Sequence, residues 1–308
     1  MAWAQKWNFA IEKIPYRLNL ECIGDWQLGS RSCCTWKIKQ HTEDILESAK
    51  NVDTAVIIAG DIEDEDRPSG REIRKKIAAE RSEMVERDAE KHISWIETDV
   101  IPYLKPLHEG TKYGIIGGVA GHHWTFLPGG YKVGDKVVYN SVDYIFSRLE
   151  QMTGKPCIYL GQMVSFLEFS FKWKSKVKKI VGVLQHGEGG GQTKGSTLTK
   201  LERTVSGFDG DFYIRGHDCQ LVATKNDQLF AKDSRDNKPN IGSKTKAILN
   251  LGSATMGYET GRGQPSYIEN SMLRPSTMGW GTIKFNVRRS HTWEDPHENL
   301  AIDMKIEI

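Results

Sequence analysis

The hydrophobic positions of this chain fall into short runs that each end on a glycine or a polar pair. "YRLNLECIGD" (16–25) and "TAVIIAGD" (54–61) predict buried strands, and both stop at Gly-Asp. Between them, "TEDILESAKN" (42–51) places Ile45, Leu46 and Ala49 at helical spacing, so the three segments predict a strand-helix-strand unit. Residues 71–100 are rich in Arg, Lys, Glu and Ala without Gly or Pro, which predicts a long charged helix closed by "IPYLKPLHEG". "KYGIIGG" (112–118) predicts a third buried strand and "NSVDYIFSRLEQM" (140–152) a further helix. In "SFLEFSFKW", Leu167, Phe169, Phe171 and Trp173 alternate onto one face, as in a half-buried strand. "KKIVGVLQHG" (178–187) and "GDFYIRGHDCQ" (210–220) predict strands ending in polar pairs. "KAILNLGS", "WGTIKFNV" and "LAIDMKIEI", all beyond residue 240, predict strands of a second sheet.

Composition narrows the class. With 38% hydrophobic and 27% charged residues over 308 positions, the chain can bury a large core, and a single domain spanning 1–308 is expected. A formal charge of +2 gives no global field for a polyanion, so any such contact must be local. No apolar segment approaches a membrane span and the start lacks a signal-peptide core, which predicts a soluble cytoplasmic protein. Five cysteines, scattered and without CxxC spacing, argue against a disulfide framework and for a reducing compartment; Cys33 and Cys34 are expected to be structural.

The chemistry lies where the strands end. Asp25, Asp61, the pair His122/His123, His186 and His217 each follow an apolar strand, most of them beside a glycine. In open α/β sheets, sites collect outside the carboxyl ends of strands, where the backbone turns and side chains converge. Carboxylates mixed with imidazoles suit divalent first-row metals. Taken singly, each Asp is more readily a turn or cap residue and each His a hydrogen-bonded structural one; the ordered set gives them weight. His41, His92, His108, His291 and His297 match no motif and are expected at the surface. "GEGGGQTKGS" (187–196) reads as a loop beside the site, and "KWKSKVKK" (172–179) as a solvated strand edge.

The ordered stretches "GDWQLGS", "GDIED", "GHHW", "LQHGEGG" and "GHDCQ" resemble the motif series of the calcineurin-like metallophosphoesterase superfamily, and "GDWQLGS" with "GSATMGY" looks most like its phage-type members. The resemblance implies an α/β fold, a sandwich of two mixed β-sheets flanked by helices in α-β-β-α layers. Elaborations would fall at about 71–110 and 125–180. It implies one or two divalent ions per chain, manganese, zinc or iron. The implied ligands are Asp25, Gln27, Asp61 and Cys219 for one ion, and Asp61, His122, His186 and His217 for the other. His123 matches the catalytic histidine that assists the leaving group. The implied reaction is hydrolysis of a phosphoester, most readily a phosphodiester, nucleic acid or nucleotide included.

Three positions depart from the family pattern. Gln27 and Cys219 stand where it has histidines of one metal site, and Trp124 stands where it has an acidic residue beside the catalytic histidine. Asp64, Glu63, Asp218 and Glu188 are the carboxylates that could take over that last role. The same departures support an alternative: a non-catalytic or altered-chemistry descendant that binds metal or phosphate on the same fold.

Overall fold

The structure is a computed structural model describing residues 4–30, 32–64, 83–188, 193–232, 240–258, 275, 277–292 and 295–308. Two six-stranded mixed sheets dominate it. One contains β2 (Tyr16–Ile23), β3 (Asp53–Ile58), β4 (Ile115–Gly118), β7 (Ile158–Tyr159), β13 (Gly281–Thr292) and β14 (Asp295–Glu307), in the order β14-β13-β2-β3-β4-β7. Here β2, β3, β4 and β7 run parallel, with β13 antiparallel to β2 and β14. The other contains β1 (Ala4–Ala10), β8 (Val164–Trp173), β9 (Lys176–His186), β10 (Phe212–Gly216), β11 (Val222–Lys232) and β12 (Asn240–Asn250), in the order β1-β8-β9-β10-β12-β11. A small ribbon of β5 (Phe126–Val133) and β6 (Lys136–Asn140) stands apart.

The period-two pattern of the strands decides the layering. Leu18, Leu20 and Cys22 point between the sheets with Ala55 and Ile57, where they meet Leu167, Phe169, Phe171, Phe212 and Phe285. Phe285 of one sheet lies edge-on to both Phe169 and Phe212 of the other, with ring centroids 5.8 and 5.5 Å away. Each of these buried rings contributes roughly 2–3 kcal/mol through burial, so this aromatic layer bonds the sandwich. On the other face of the first sheet, Ile23, Val56 and Ile58 pack against helices: α1 (Thr35–Ala49), α2 (Glu83–Trp95), α3 (Ile101–Gly110) and α4 (Ser141–Thr153). Helix α5 (Lys194–Gly207) covers the second sheet through Leu201 against Val183, Tyr213 and Ile248. The chain thus has the α-β-β-α layers that the motif series implied.

Several local expectations are corrected. Helix α1 begins at Thr35, seven residues before the stretch read from periodicity, because Ile38 extends the buried stripe of Thr42 and Ile45; Cys34 at its start offers no capping hydrogen bond that would have marked it. The charged helix continues to Gly110 with one widened turn, Ile96–Val100, just ahead of Pro102, whose missing N–H interrupts the ladder. Its expected portion before residue 83 lies outside the described residues. The last three strands do not share a second sheet: β12 joins β10 and β11, while β13 and β14 extend the first. Residues 194–196, expected in a loop, open α5 through a capping box of Thr193 and Ser196; 189–192 lie outside the described residues. Among the described residues, no helix is long and apolar enough to cross a membrane.

His92 and His108, expected at the surface, are buried. His108 Nδ1 accepts from the Ile115 N–H at 2.8 Å, tying α3 to β4. His92 Nε2 lies 2.8 Å from Glu63 Oε2, and the Ser141 hydroxyl donates to the other oxygen of Glu63. This buried link joins the "GDIED" turn to α2 and α4. The side chains of His291 and His297 lie outside the described part. Substituting His92→Ala strips a buried carboxyl of one partner and should cost about 2–3 kcal/mol. Urea denaturation should show it as a lower midpoint; an unchanged midpoint would return His92 to the surface role its sequence context suggested.

Candidate metal centre

The carboxyl ends of β2, β3 and β4 from one sheet meet those of β9 and β10 from the other. Past the strand ends the turns are stitched together: Asp25 N donates to Gly60 O (2.9 Å), Asp61 N to Ala120 O (3.0 Å) and Gln27 N to Asp61 O (3.0 Å). Each turn reverses sharply. Among the described non-glycine residues, six have positive φ, and five of them are Asp25, Gln27, Asp61, His217 and Cys219; the sixth, Lys174, sits in the β8–β9 hairpin. Such backbone costs of order 1 kcal/mol or more per residue and persists where the surroundings enforce it. Its coincidence with the motif residues supports a site, since a residue's identity does not fix its φ.

Asp61 is fully buried at the centre. Its Oδ1 accepts from the backbone N–H of His122 (2.6 Å) and of His123 (3.0 Å), and its Oδ2 lies 3.0 Å from His186 Nε2. That last contact is an ion pair by distance but off the line of a hydrogen bond, since Nε2 has no hydrogen-bond partner. His186 Nδ1 donates to the Ala59 carbonyl at 2.7 Å, which fixes the ring and aims Nε2 at the site. The His122, His186 and His217 rings lie with centroids 4.7–5.1 Å apart. Asp61, His122, His186 and His217 each present a ligand atom, all within 4.8 Å of one another.

Two glycines make the approach possible. A Cβ on Gly121 (φ +82°) would fall 2.2 Å from Asp61 Oδ1, and one on Gly60 (φ +97°) would fall 2.5 Å from His186 Nδ1. Both distances are closer than a carbon can come.

Charge follows geometry. Burial opposes ionisation of Asp61, but His186 and His123 outweigh it and hold the carboxyl well below the usual range. Burial likewise works against the charge on His186, yet Asp61 and Asp25 raise its pKa to about 9. Burial, with His186 and His122 as like charges, pushes His217 down to about 3, and burial also lowers His122. Asp25 is raised to about 7, chiefly by burial. The cluster thus offers two neutral imidazoles, a carboxylate and one imidazolium. Buried Asp25 Oδ1, His122 Nδ1 and His186 Nε2 have no hydrogen-bond partner. Orphaned polar atoms around a mixed N/O donor set fit a divalent cation.

The remaining motif residues stand at different distances from this cluster. Asp25 is buried and its Oδ2 accepts from the His217 N–H at 2.8 Å, so it fixes the turn that presents His217. Cys219 and Asp25 do not join the four-residue group. The Cys219 thiol donates to the His217 carbonyl at 3.5 Å, and burial drives its pKa well above the ordinary value, so it is held neutral. Gln27 is half-buried.

His123 flanks the cluster with its Nδ1 3.0 Å from Asp64 Oδ1 and its Nε2 3.8 Å from Asp61 Oδ2. Burial works against its protonation, but Asp64 and Asp61 raise it to about 9. Of the four carboxylates considered, Asp64 is the one that reaches this ring. Glu63 is engaged with His92 and Ser141, and Asp218 with Lys200 and Arg215. Trp124 turns into the helix-side core. Sequence reasoning missed Trp280, whose Nε1 donates to the Gly24 carbonyl (2.8 Å) while His41 stacks on its ring at 4.6 Å; it pins the turn carrying Asp25 from 256 residues away. No local signal marks such a contact.

No family model matches the chain, and no curated protein matches it. Among solved structures, wild-type Vps29 from Entamoeba histolytica, complexed with Zn2+, is similar at 13% identity and a TM-score of 0.32, over 93% of this chain and 98% of that one. What the chain does is therefore read from its own residues.

A cation must displace the proton of His186. Apparent affinity for Zn2+ or Mn2+ should then rise about tenfold per pH unit up to about 9, with a proton released on binding. Calorimetry in buffers of different ionisation enthalpy measures that release directly; pH-independent binding without it would show that His186 is no ligand. Gly121→Ala should abolish this binding while the chain still folds, as judged by far-UV circular dichroism alongside the titration.

Proposed function

We propose that the chain is a metal-dependent phosphoesterase of the calcineurin-like kind, hydrolysing phosphodiesters, with nucleic acid or nucleotide among its candidate substrates. The observation that carries this reading is the convergence of Asp61, His122, His186 and His217 within 4.8 Å, beside a histidine anchored on a carboxylate. The likeness of "GDWQLGS" and "GSATMGY" to phage-type members supports diesters over monoesters.

Asp61, His122, His186 and His217 would hold a manganese, zinc or iron ion, with Asp25 and the altered positions Gln27 and Cys219 as the ligands for a second. A bound divalent cation supplies charge for a phosphoryl oxygen and lowers the pKa of water toward about 7. The chain's own residues do the rest. Asp61, held by two backbone N–H groups, keeps its charge at any working pH. His123 is protonated at neutral pH, and its Nδ1 is engaged by Asp64, which leaves Nε2 to deliver a proton to a departing alkoxide. Its side chain is only about one-third exposed, so that proton is shielded but reachable.

A second reading, a metal-binding descendant without turnover, is favoured by the neutral, inward-bonded thiol of Cys219 and by the amide of Gln27 in place of two imidazoles. Assay of bis-p-nitrophenyl phosphate hydrolysis by manganese-loaded protein separates the two. Turnover that drops about 10²–10⁴-fold in His123→Ala supports hydrolysis; metal binding without turnover under any of the three metals overturns it.

The anchoring carboxylate makes a further expectation. Because Asp64 helps keep His123 protonated, kcat should fall as pH rises through about 9, and Asp64→Asn should move that limb to lower pH while reducing kcat roughly 10–100-fold. An unmoved limb in the variant would remove His123 from the proton-donor role.

A further inference from the structure

The outer edge of the first sheet is the long strand β14, and among the described residues no strand pairs with its far side. Long apolar edges invite pairing and are usually blunted by charge, proline or bulges. Beyond Pro296 and the bulge opposite its start, from Leu300 onward, this one is blunted by charge on one face alone. Leu300, Ile302, Met304 and Ile306 alternate onto the face that meets the inter-sheet core. Only Leu300 is buried there; Ile302, Met304 and Ile306 are partly covered, and Ile308 on the same alternation is 66% exposed. Among the described residues, the core between the sheets therefore runs out to an edge that no further strand closes. The opposite face carries Asp303 and Lys305, both exposed.

We propose that β14 pairs antiparallel with β14 of a second copy of this chain, about a two-fold axis through Met304. In that register Asp303 faces Lys305 of the second copy, and the reverse pair forms across the axis. On the apolar face Ile302 meets Ile306 and Leu300 meets Ile308, so the half-covered side chains of each copy close the core of the other. Charge selects this register against its neighbours. Moving the axis by one residue sets Asp303 against its own copy or Lys305 against its own, and like charges directly opposite are destabilising. The pairing joins two six-stranded sheets into one continuous sheet and leaves the metal centre, at the ends of β2, β3, β4, β9 and β10, untouched. A two-fold contact of this kind is self-complementary, as closed dimers require.

Sedimentation equilibrium of the full chain tests this, with Asp303→Lys, Lys305→Asp and the double exchange compared at equal concentration. The chain should be a dimer. Each single variant puts like charges across the axis and should weaken the dimer about tenfold or more, while the double exchange restores it. Asp303 also bonds Arg288 on the neighbouring strand (2.7 Å), an exposed pair whose loss costs at most about 1 kcal/mol, so the single variants should fold; thermal melts confirm that. A monomer at every concentration overturns the proposal. So does a dimer that neither single variant weakens, or one that the double exchange fails to restore.

Discussion

Everything at the centre of this protein depends on one buried carboxylate. Asp61 sits where a parallel strand of one sheet ends, accepts two backbone N–H groups from the turn after the next strand, and faces an imidazole delivered by the other sheet. A buried charge of this kind is costly unless every oxygen has a partner. Here the partners come from two other strand ends, those of β4 and β9. The sandwich must therefore close with its strand ends in register, and the aromatic layer of Phe169, Phe212 and Phe285 holds it there.

That arrangement explains why the site is strained. Asp25, Asp61 and His217 take left-handed backbone to turn their side chains back across the strand ends. The glycines beside Asp61 and His186 are required for the same reason, since a Cβ on Gly121 would overlap the Asp61 carboxylate and one on Gly60 the His186 ring. Folding energy from the core is spent on holding four donor groups within 4.8 Å of one another. Two half-buried imidazoles of lowered basicity, the imidazolium and the orphaned nitrogens are features that cluster at functional sites.

The departures from the motif series acquire meaning from their surroundings. Trp124 takes the place of an acidic residue and packs into the helix-side core, while Asp64, from the turn after β3, reaches His123. Cys219 keeps its place in the turn but spends its thiol on a carbonyl. One half of the constellation is thus reinforced, by a third histidine at His122, and the other half is thinned. On the proposed reading, such a centre would hold one ion firmly and a second weakly.

The amino-acid sequence by itself determined the strand-helix-strand order, the alternation that splits β8 into two faces, and the residues at five strand ends, because hydrophobic period and glycine position are local properties. It could not assign β12 to one sheet and β13 to the other, since both read as apolar strands and only the long-range pairing decides their neighbours. It left the partner of His123 open among four carboxylates, and it placed His92 and His108 at the surface, because a polar side chain shows whether it is buried only once the elements around it are docked. Trp280 pinning Gly24 is the limiting case: the two residues lie at opposite ends of the chain, and the hydrogen bond between them exists only in the closed sandwich.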